Sequence, residues 1–253
     1  TSVDPLPNTN YFVYYNANGG SVSTDRDVIS FEFGGYYNQD GLIKSNGFDK
    51  FMIHNNIEHK INDLITVGSS MQFTTSHKHK MSEVVTNDIF RGAWPTDPVY
   101  KEDGSYNILD HSEKFNSIAS INAQSNRTKN IRFLGNFFGQ LNFTKHLNYR
   151  LNLGYDIKDS HNYQFNSSQI PKRLSSGDTT SDGSQAWWRG RSVLVDNILT
   201  YTNLWNDVHR LTATAVYSWQ DYKFNSSSMS GNFDNDELGA YKFDSATNLK
   251  QSS

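Results

Sequence analysis

Along residues 131–158 apolar and polar side chains alternate almost one for one. Phe133, Gly135, Phe137, Gly139, Leu141 and Phe143 share one parity, and Arg132, Asn136, Gln140 and Asn142 the other. After Thr144, Lys145 and His146 the alternation resumes, with Tyr149, Leu151, Leu153, Tyr155 and Ile157 set against Arg150, Asn152, Gly154, Asp156 and Lys158. Successive side chains of a β-strand point to opposite faces, so the pattern predicts a hairpin with one apolar face and one face of charges and amides. The same plan recurs on either side. Phe51, Ile53 and Ile57 lead through Ile61, Asn62 and Asp63 to Ile65, Val67, Met71 and Phe73. Val193, Val195, Leu199 and Tyr201 lead through Asn206 and Asp207 to Leu211, Ala213, Ala215, Tyr217 and Trp219. Eight strands are expected, at about 11–18, 28–37, 48–60, 65–77, 131–143, 148–158, 191–203 and 209–222.

Strand length bears on what the apolar face touches. Strands in soluble domains run about five or six residues, whereas these hold their alternation for roughly eleven. At about 3.3 Å per residue and a tilt near 40°, such a strand rises about 25 to 28 Å, the height of the apolar band of an outer-membrane barrel. The connections are also unequal: pairs close through a few residues, while 78–130, 159–190 and 223 onward are long and polar and all fall on one side. Phe143, Tyr149, Tyr201 and Trp205 lie beside the short turns, and Phe133, Tyr155, Tyr217 and Trp219 toward the long segments, which suits two interfacial girdles. The expected fold class is all-β: an antiparallel transmembrane β-barrel segment of about eight meander strands, with short periplasmic turns and long extracellular loops. Alternation alone is shared with a soluble carbohydrate-binding β-sandwich, in which Trp94, Trp187 and Trp188 form a stacking platform, or a self-contained eight-stranded outer-membrane barrel serving as an adhesin. Oily faces enclosed against each other would mark the sandwich, and pairing of first and last strands the small barrel.

Composition by itself points the other way. The chain of 253 residues is 36% hydrophobic, 19% charged and 14% aromatic, with a mean hydropathy of −0.68. A barrel strand shows lipid only every second residue, so it needs no long apolar run, and the sequence has none of the roughly eighteen residues that a spanning helix requires. The absence of cysteine fits a cell-envelope protein without disulfides. A net charge of −3 with scattered Lys and Arg argues against a nucleic-acid partner. Neither a basic nor an apolar leader stands at Thr1-Ser2-Val3-Asp4-Pro5, and residues 248–253 are polar and loop-like; residues 1–253 are expected to be part of one barrel domain within a longer chain.

No catalytic or cofactor signature gathers the many carboxylates and histidines: there is no P-loop, dinucleotide-binding glycine set or Gly-x-Ser-x-Gly elbow. His77-Lys78-His79 reads as a solvated strand end, and Asp178–Gly183 as no calcium loop, because Arg189 stands where the bidentate Glu belongs. Asp234 and Asp236 read as turn-formers. The chain is therefore expected to be no enzyme and to carry no cofactor or metal. Binding chemistry is sought instead on the polar parity and in the long segments. Arg132, Asn136, Gln140, Arg150, Asn152 and Asp156 are the expected lumen-facing set, and Trp94, Asp97, Tyr100, Trp187 and Trp188 the expected ligand-contacting loop residues.

Several segments, in order, resemble the SusC/RagA family of TonB-dependent outer-membrane transporters of Bacteroidota. They are Gly35-Tyr36-Tyr37-Asn38-Gln39-Asp40-Gly41-Leu42-Ile43-Lys44, Gly47-Phe48-Asp49-Lys50-Phe51, Ile61-Asn62-Asp63 with Val67-Gly68, and Pro95-Thr96-Asp97-Pro98-Val99-Tyr100 followed by Lys101-Glu102-Asp103. Then come Arg132-Phe133-Leu134-Gly135-Asn136-Phe137, Leu151-Asn152-Leu153-Gly154-Tyr155-Asp156, Asn197-Ile198-Leu199-Thr200-Tyr201 and Gly231-Asn232-Phe233-Asp234-Asn235-Asp236-Glu237-Leu238. The resemblance runs from about Tyr11 to Leu249 and covers only the middle of a family member; the plug, the TonB-contacting segment and the closing strands have no counterpart. It implies a wall segment of a bacterial outer-membrane importer of glycan fragments or oligopeptides, driven by TonB and capped by a SusD-like surface lipoprotein. The stretch 160–185 matches no family pattern.

Overall fold

The computed structural model describes residues 11–23, 27–39, 46–80, 96–108, 115–206, 208–237 and 239–253. Its strands are β1 (Tyr11–Ser23), β2 (Asp27–Gln39), β3 (Gly47–Lys60), β4 (Ile65–His79), β5 (Gln124–Asn142), β6 (Leu147–Asn166), β7 (Ser181–Trp205), β8 (His209–Phe233) and β9 (Thr247–Ser252). They form one nine-stranded sheet in chain order, each strand antiparallel to the next. Every expected strand is present in the expected order.

The tight ends are built by the residue types that favour turns. Asn62 Oδ1 accepts from the backbone N–H of Leu64 (2.9 Å) and Ile65 (2.8 Å), closing β3–β4. Thr144 Oγ1 does the same for His146 (3.1 Å) and Leu147 (3.0 Å) between β5 and β6. Asn206 takes φ 52° after β7, a left-handed conformation that Asn tolerates better than most residues. The segments that follow β4, β6 and β8 leave the opposite end of the sheet.

Expected boundaries fail at that opposite end. The stretch 159–190 is not one long loop: β6 continues to Asn166 and β7 begins at Ser181, leaving a connection that contains the short helix α2 (Pro171–Ser176). Likewise β8 runs on to Phe233, and the polar C-terminal stretch, expected to be loop-like, forms β9 against Ser228–Asn232. Once both faces of a strand are wet, no face demands apolar residues, yet the backbone ladder still forms. The segment after β4 has structure of its own. The helix α1 (Ser117–Asn122) is capped by Asn116, which accepts from Ala119 N–H at 3.1 Å and donates to the carbonyls of Val99 (2.7 Å) and Asn107 (3.0 Å).

Paired residues share a face, so register fixes the composition of each side. On the apolar side the band runs from Ile131 to Leu141 on β5, Leu147 to Ile157 on β6, Val193 to Tyr201 on β7 and Leu211 to Trp219 on β8. Each stretch is roughly nine to eleven residues, the length a tilted strand needs to cross a bilayer. Its edge at the long-segment end shifts by about two residues from strand to strand, from Ile131 to Ile157, Val193 and Trp219, as strands tilted by roughly 45° require. Among the described residues no second layer covers this band. Phe137 is 42% exposed, Leu153 45% and Trp219 51%, so the enclosed interior of a sandwich is absent among the described residues. β1 and β9 are not paired, and the sheet is open.

A small core lies beyond the band on the same side. Tyr163, Phe233 and Ala240 are buried together, with Phe165, Phe243 and Ala246 packed against them. The 3₁₀ turns at Gly239–Tyr241 and Phe243–Ser245 thus fold back over the projecting ends of β6, β7 and β8.

Candidate functional site

The polar face of the sheet carries the candidate site. Arg132 is registered with Lys158, Leu134 with Asp156, Asn136 with Gly154, Phe138 with Asn152 and Gln140 with Arg150. All six expected lumen-facing residues therefore lie on one side, opposite the apolar band. They are held in defined pairs. Arg132 donates to both carboxylate oxygens of Asp156, from Nε at 2.9 Å and Nη2 at 2.7 Å, a fork geometry that fixes both side chains. The Arg150 guanidinium lies 3.7 Å from the centre of the Phe138 ring and donates to Asn152 Oδ1 at 2.9 Å. Gln140 donates to Asn142 at 2.9 Å.

Neighbouring strands extend this wet surface. His54 Nε2 is 3.1 Å from Ser70 Oγ, Gln72 donates to Thr74 at 3.2 Å, and Gln220 donates to Ser192 at 3.0 Å. A shallow hollow of 370 Å³ reaches across them, lined by His54, Gln72, Asn136, Asp156, Leu194 and Gln220 among others. Toward the long-segment end the face becomes aromatic. Lys158 Nζ sits 4.8 Å from the centre of a Trp188 ring, and Trp188 and Phe224 lie 6.0 Å apart. Phe224 is 53% exposed and Tyr222 64%. Rings open to water above a surface rich in amides and ion pairs can hold an elongated polar ligand by stacking and hydrogen bonding.

The expected ligand-contacting residues do not gather in one place. Trp94 lies outside the described residues. Tyr100 bridges to Tyr106 and stacks on it with ring centres 5.3 Å apart, while Asp97 sits in the turn just before. Trp187 and Trp188, expected together in a loop, belong to β7 and project to opposite faces. Trp188 joins the polar face through Ser160 and Ser226, and Trp187 is registered with His161 and Ser227 on the band side. Tyr222, Phe224 and Phe138 are polar-face residues that the sequence reading did not single out. The parity of Ser218 carried forward through Gln220 would have found Tyr222 and Phe224, and that of Ser192 carried back through Gly190 would have placed Trp188 on the same face.

Nothing in this arrangement concentrates reactive groups. His77 Nδ1 is 2.8 Å from Asp49 Oδ2, and no set of three metal-ligating side chains occurs among the described residues. Asp236 acts in structure: its carboxylate accepts from Ser167 Oγ (2.6 Å), Ser168 Oγ (2.8 Å) and Ser168 N–H (3.1 Å). Burial pushes that carboxyl up, but these donors outweigh it and hold it below the ordinary range.

No family model matches the chain. TonB-dependent receptor P26 of Formosa agariphila is 27% identical over 209 residues, which cover 81% of this chain and 21% of that protein. Structures of the RagAB peptide importer in the closed-closed and open-open states each superpose with a TM-score of 0.72 at 13% identity, covering 92% of this chain and 27% of that chain. A further structure of the RagAB peptide transporter gives a TM-score of 0.71 over 90% of this chain. The chain thus spans between 21% and 27% of the length of these proteins.

Proposed function

We propose that the chain belongs with the SusC/RagA-type TonB-dependent transporters and forms part of the wall of an outer-membrane importer that takes up glycan fragments or oligopeptides, a reading supported by the relatives above. The observation that carries this reading is the two-sidedness of a single sheet: an uncovered apolar band roughly nine to eleven residues tall backs a face of ion pairs, amides and open aromatic rings. Water and lipid each wet one side, as a channel wall requires. Arg132, Asn136, Gln140, Arg150, Asn152 and Asp156 then face the lumen, and Tyr222, Phe224 and Trp188 meet the ligand near the outer mouth.

By the same reading the bacterial outer membrane is the location, TonB supplies the energy and a SusD-like surface lipoprotein closes the outer mouth. Relatives named as a TonB-dependent receptor and as a peptide importer support this. The self-contained eight-stranded barrel is disfavoured by the open sheet, and the soluble carbohydrate-binding sandwich by the bare apolar face.

The test is uptake in the organism that encodes the protein. Cells with and without the gene are given fluorescent oligopeptides and oligosaccharides, and periplasmic accumulation is followed before and after a protonophore. Loss of one ligand class on deletion, and equally on de-energisation, is the expected result. Uptake of both classes at the parental rate in the deletion strain refutes the proposal.

A further inference from the structure

We infer that the outside of the wall, just beyond the apolar band at its long-segment end, binds the phosphate-bearing headgroup of an outer-leaflet lipid, in a groove between Lys129 and Arg189 floored by Ile131. The inference rests on the membrane reading above. On the band side, the first side chains past the band are Lys129 and Arg127 on β5, Asp159 and His161 on β6, Arg191 and Arg189 on β7, and Asp221 and Lys223 on β8. Their positions step down from strand to strand with the band edge itself. They therefore form a girdle parallel to the membrane plane, not a charged stripe along one strand. At the short-turn edge the same side carries Phe143, Asn203 and Trp205, with Lys145 in a turn.

The acids of the girdle already have partners. Asp159 Oδ1 accepts from Arg189 Nε at 2.6 Å, and Asp221 Oδ2 lies 3.8 Å from Arg191 Nη2. Lys129 and Lys223 have no carboxylate partner among the described residues, so positive charge is left over at this height. A groove of 440 Å³ opens there, lined by Lys129, Ile131, His161, Trp187 and Arg189 among others. Trp187 stacks on His161 with ring centres 4.8 Å apart and planes 6° apart. His161 Nε2 is 3.1 Å from Gln185 Oε1, and the Gln185 amide nitrogen is bonded to the Ala240 carbonyl, so the stacked pair is fixed in place.

These features match an amphiphile. The indole suits the headgroup level, ammonium and guanidinium groups attract phosphate, and the apolar side chain below offers acyl chains a surface. A free phosphate would use only the cations and leave Ile131, 37% exposed, without a role.

The complete protein in neutral detergent is mixed with equal amounts of dioleoyl phosphatidic acid and dioleoyl phosphatidylcholine, and bound lipid is counted by native mass spectrometry. Preferential retention of phosphatidic acid is expected, weakened about fivefold by each of Lys129→Gln and Arg189→Gln, the two cations that line the groove. Inorganic phosphate at the same concentration should not displace it. Equal retention of the two lipids, unchanged retention in both variants, or displacement by inorganic phosphate overturns the inference. Insertion of the same samples into phosphatidylcholine vesicles separates the two failures. A protein that inserts but shows no phosphate preference defeats this inference alone, whereas one that stays in water defeats the membrane reading and this inference with it.

Discussion

Tyr149 donates its hydroxyl to Oδ1 of Asn197 at 2.6 Å, within the apolar band. Asn197 faces the same side as Leu153 and Leu199, and its amide nitrogen has only a 3.5 Å contact with the Tyr217 carbonyl. An amide facing lipid is costly unless a partner satisfies it, so the pair acts as a unit. Tyr149→Phe should destabilise the folded complete protein in vesicles by about 0.6 to 1.7 kcal/mol. In an Asn197→Leu background the same change should cost little. Equal costs of Tyr149→Phe in the two backgrounds, measured by urea titration in vesicles, would show that the hydroxyl and the amide are not coupled.

Leu153 and Asn152 are neighbours that project to opposite faces. Leu153 meets Phe137 and Val195 in register at mid-band, while Asn152 meets Phe138 and Asp196 on the polar side. Leu153→Arg should cost about 2 to 4 kcal/mol of folding stability in a bilayer, and Asn152→Arg well under half of that. Comparable losses for the two variants in the same vesicle assay would contradict the assignment of faces.

The banded part of this architecture was legible because a one-sided apolar face imposes a rule on every second residue. Alternation around Phe133, Leu151 and Leu199 fixed parity, and Asn62, Thr144 and Asn206 marked turns through chemistry that acts locally. Beyond the band that rule lapses. Ser226, Ser227 and Ser228 read as loop, and Trp187 and Trp188 as ligand-contacting loop residues, yet all five lie in strands held by the ladder and, beyond the band, by the Tyr163–Phe233–Ala240 cluster. β9 is exposed along its length and carries a single apolar residue, Leu249, so it leaves no alternation in the sequence. The cation girdle was equally hidden, because its members belong to four different strands and meet only through register.

Gly183 is one of the points where the returning segment comes closest to the sheet. A Cβ there would collide with that of Ala240 and come within 3.2 Å of the Phe233 ring and the Gln164 carbonyl. Gly183→Val should therefore displace Ala240 and open residues 234–246 to protease while leaving the band folded. Digestion of that segment at the parental rate would mean that the cluster tolerates the added side chain and does not depend on this close approach.

The same segment is tied down by charge, through Asp236 and the hydroxyls of Ser167 and Ser168. Because the folded carboxyl lies below its ordinary value near 4, the ionised form is favoured by folding. The contribution is complete above the unfolded pKa and is lost as pH falls through the lowered folded value. Protection of 234–246 against amide exchange should accordingly hold from neutral pH down to about 4 and decline below it. In Asp236→Asn the segment should exchange faster at neutral pH and lose that acid-dependent decline. An acid transition that persists unchanged in Asp236→Asn would show that this carboxylate does not tie the segment down.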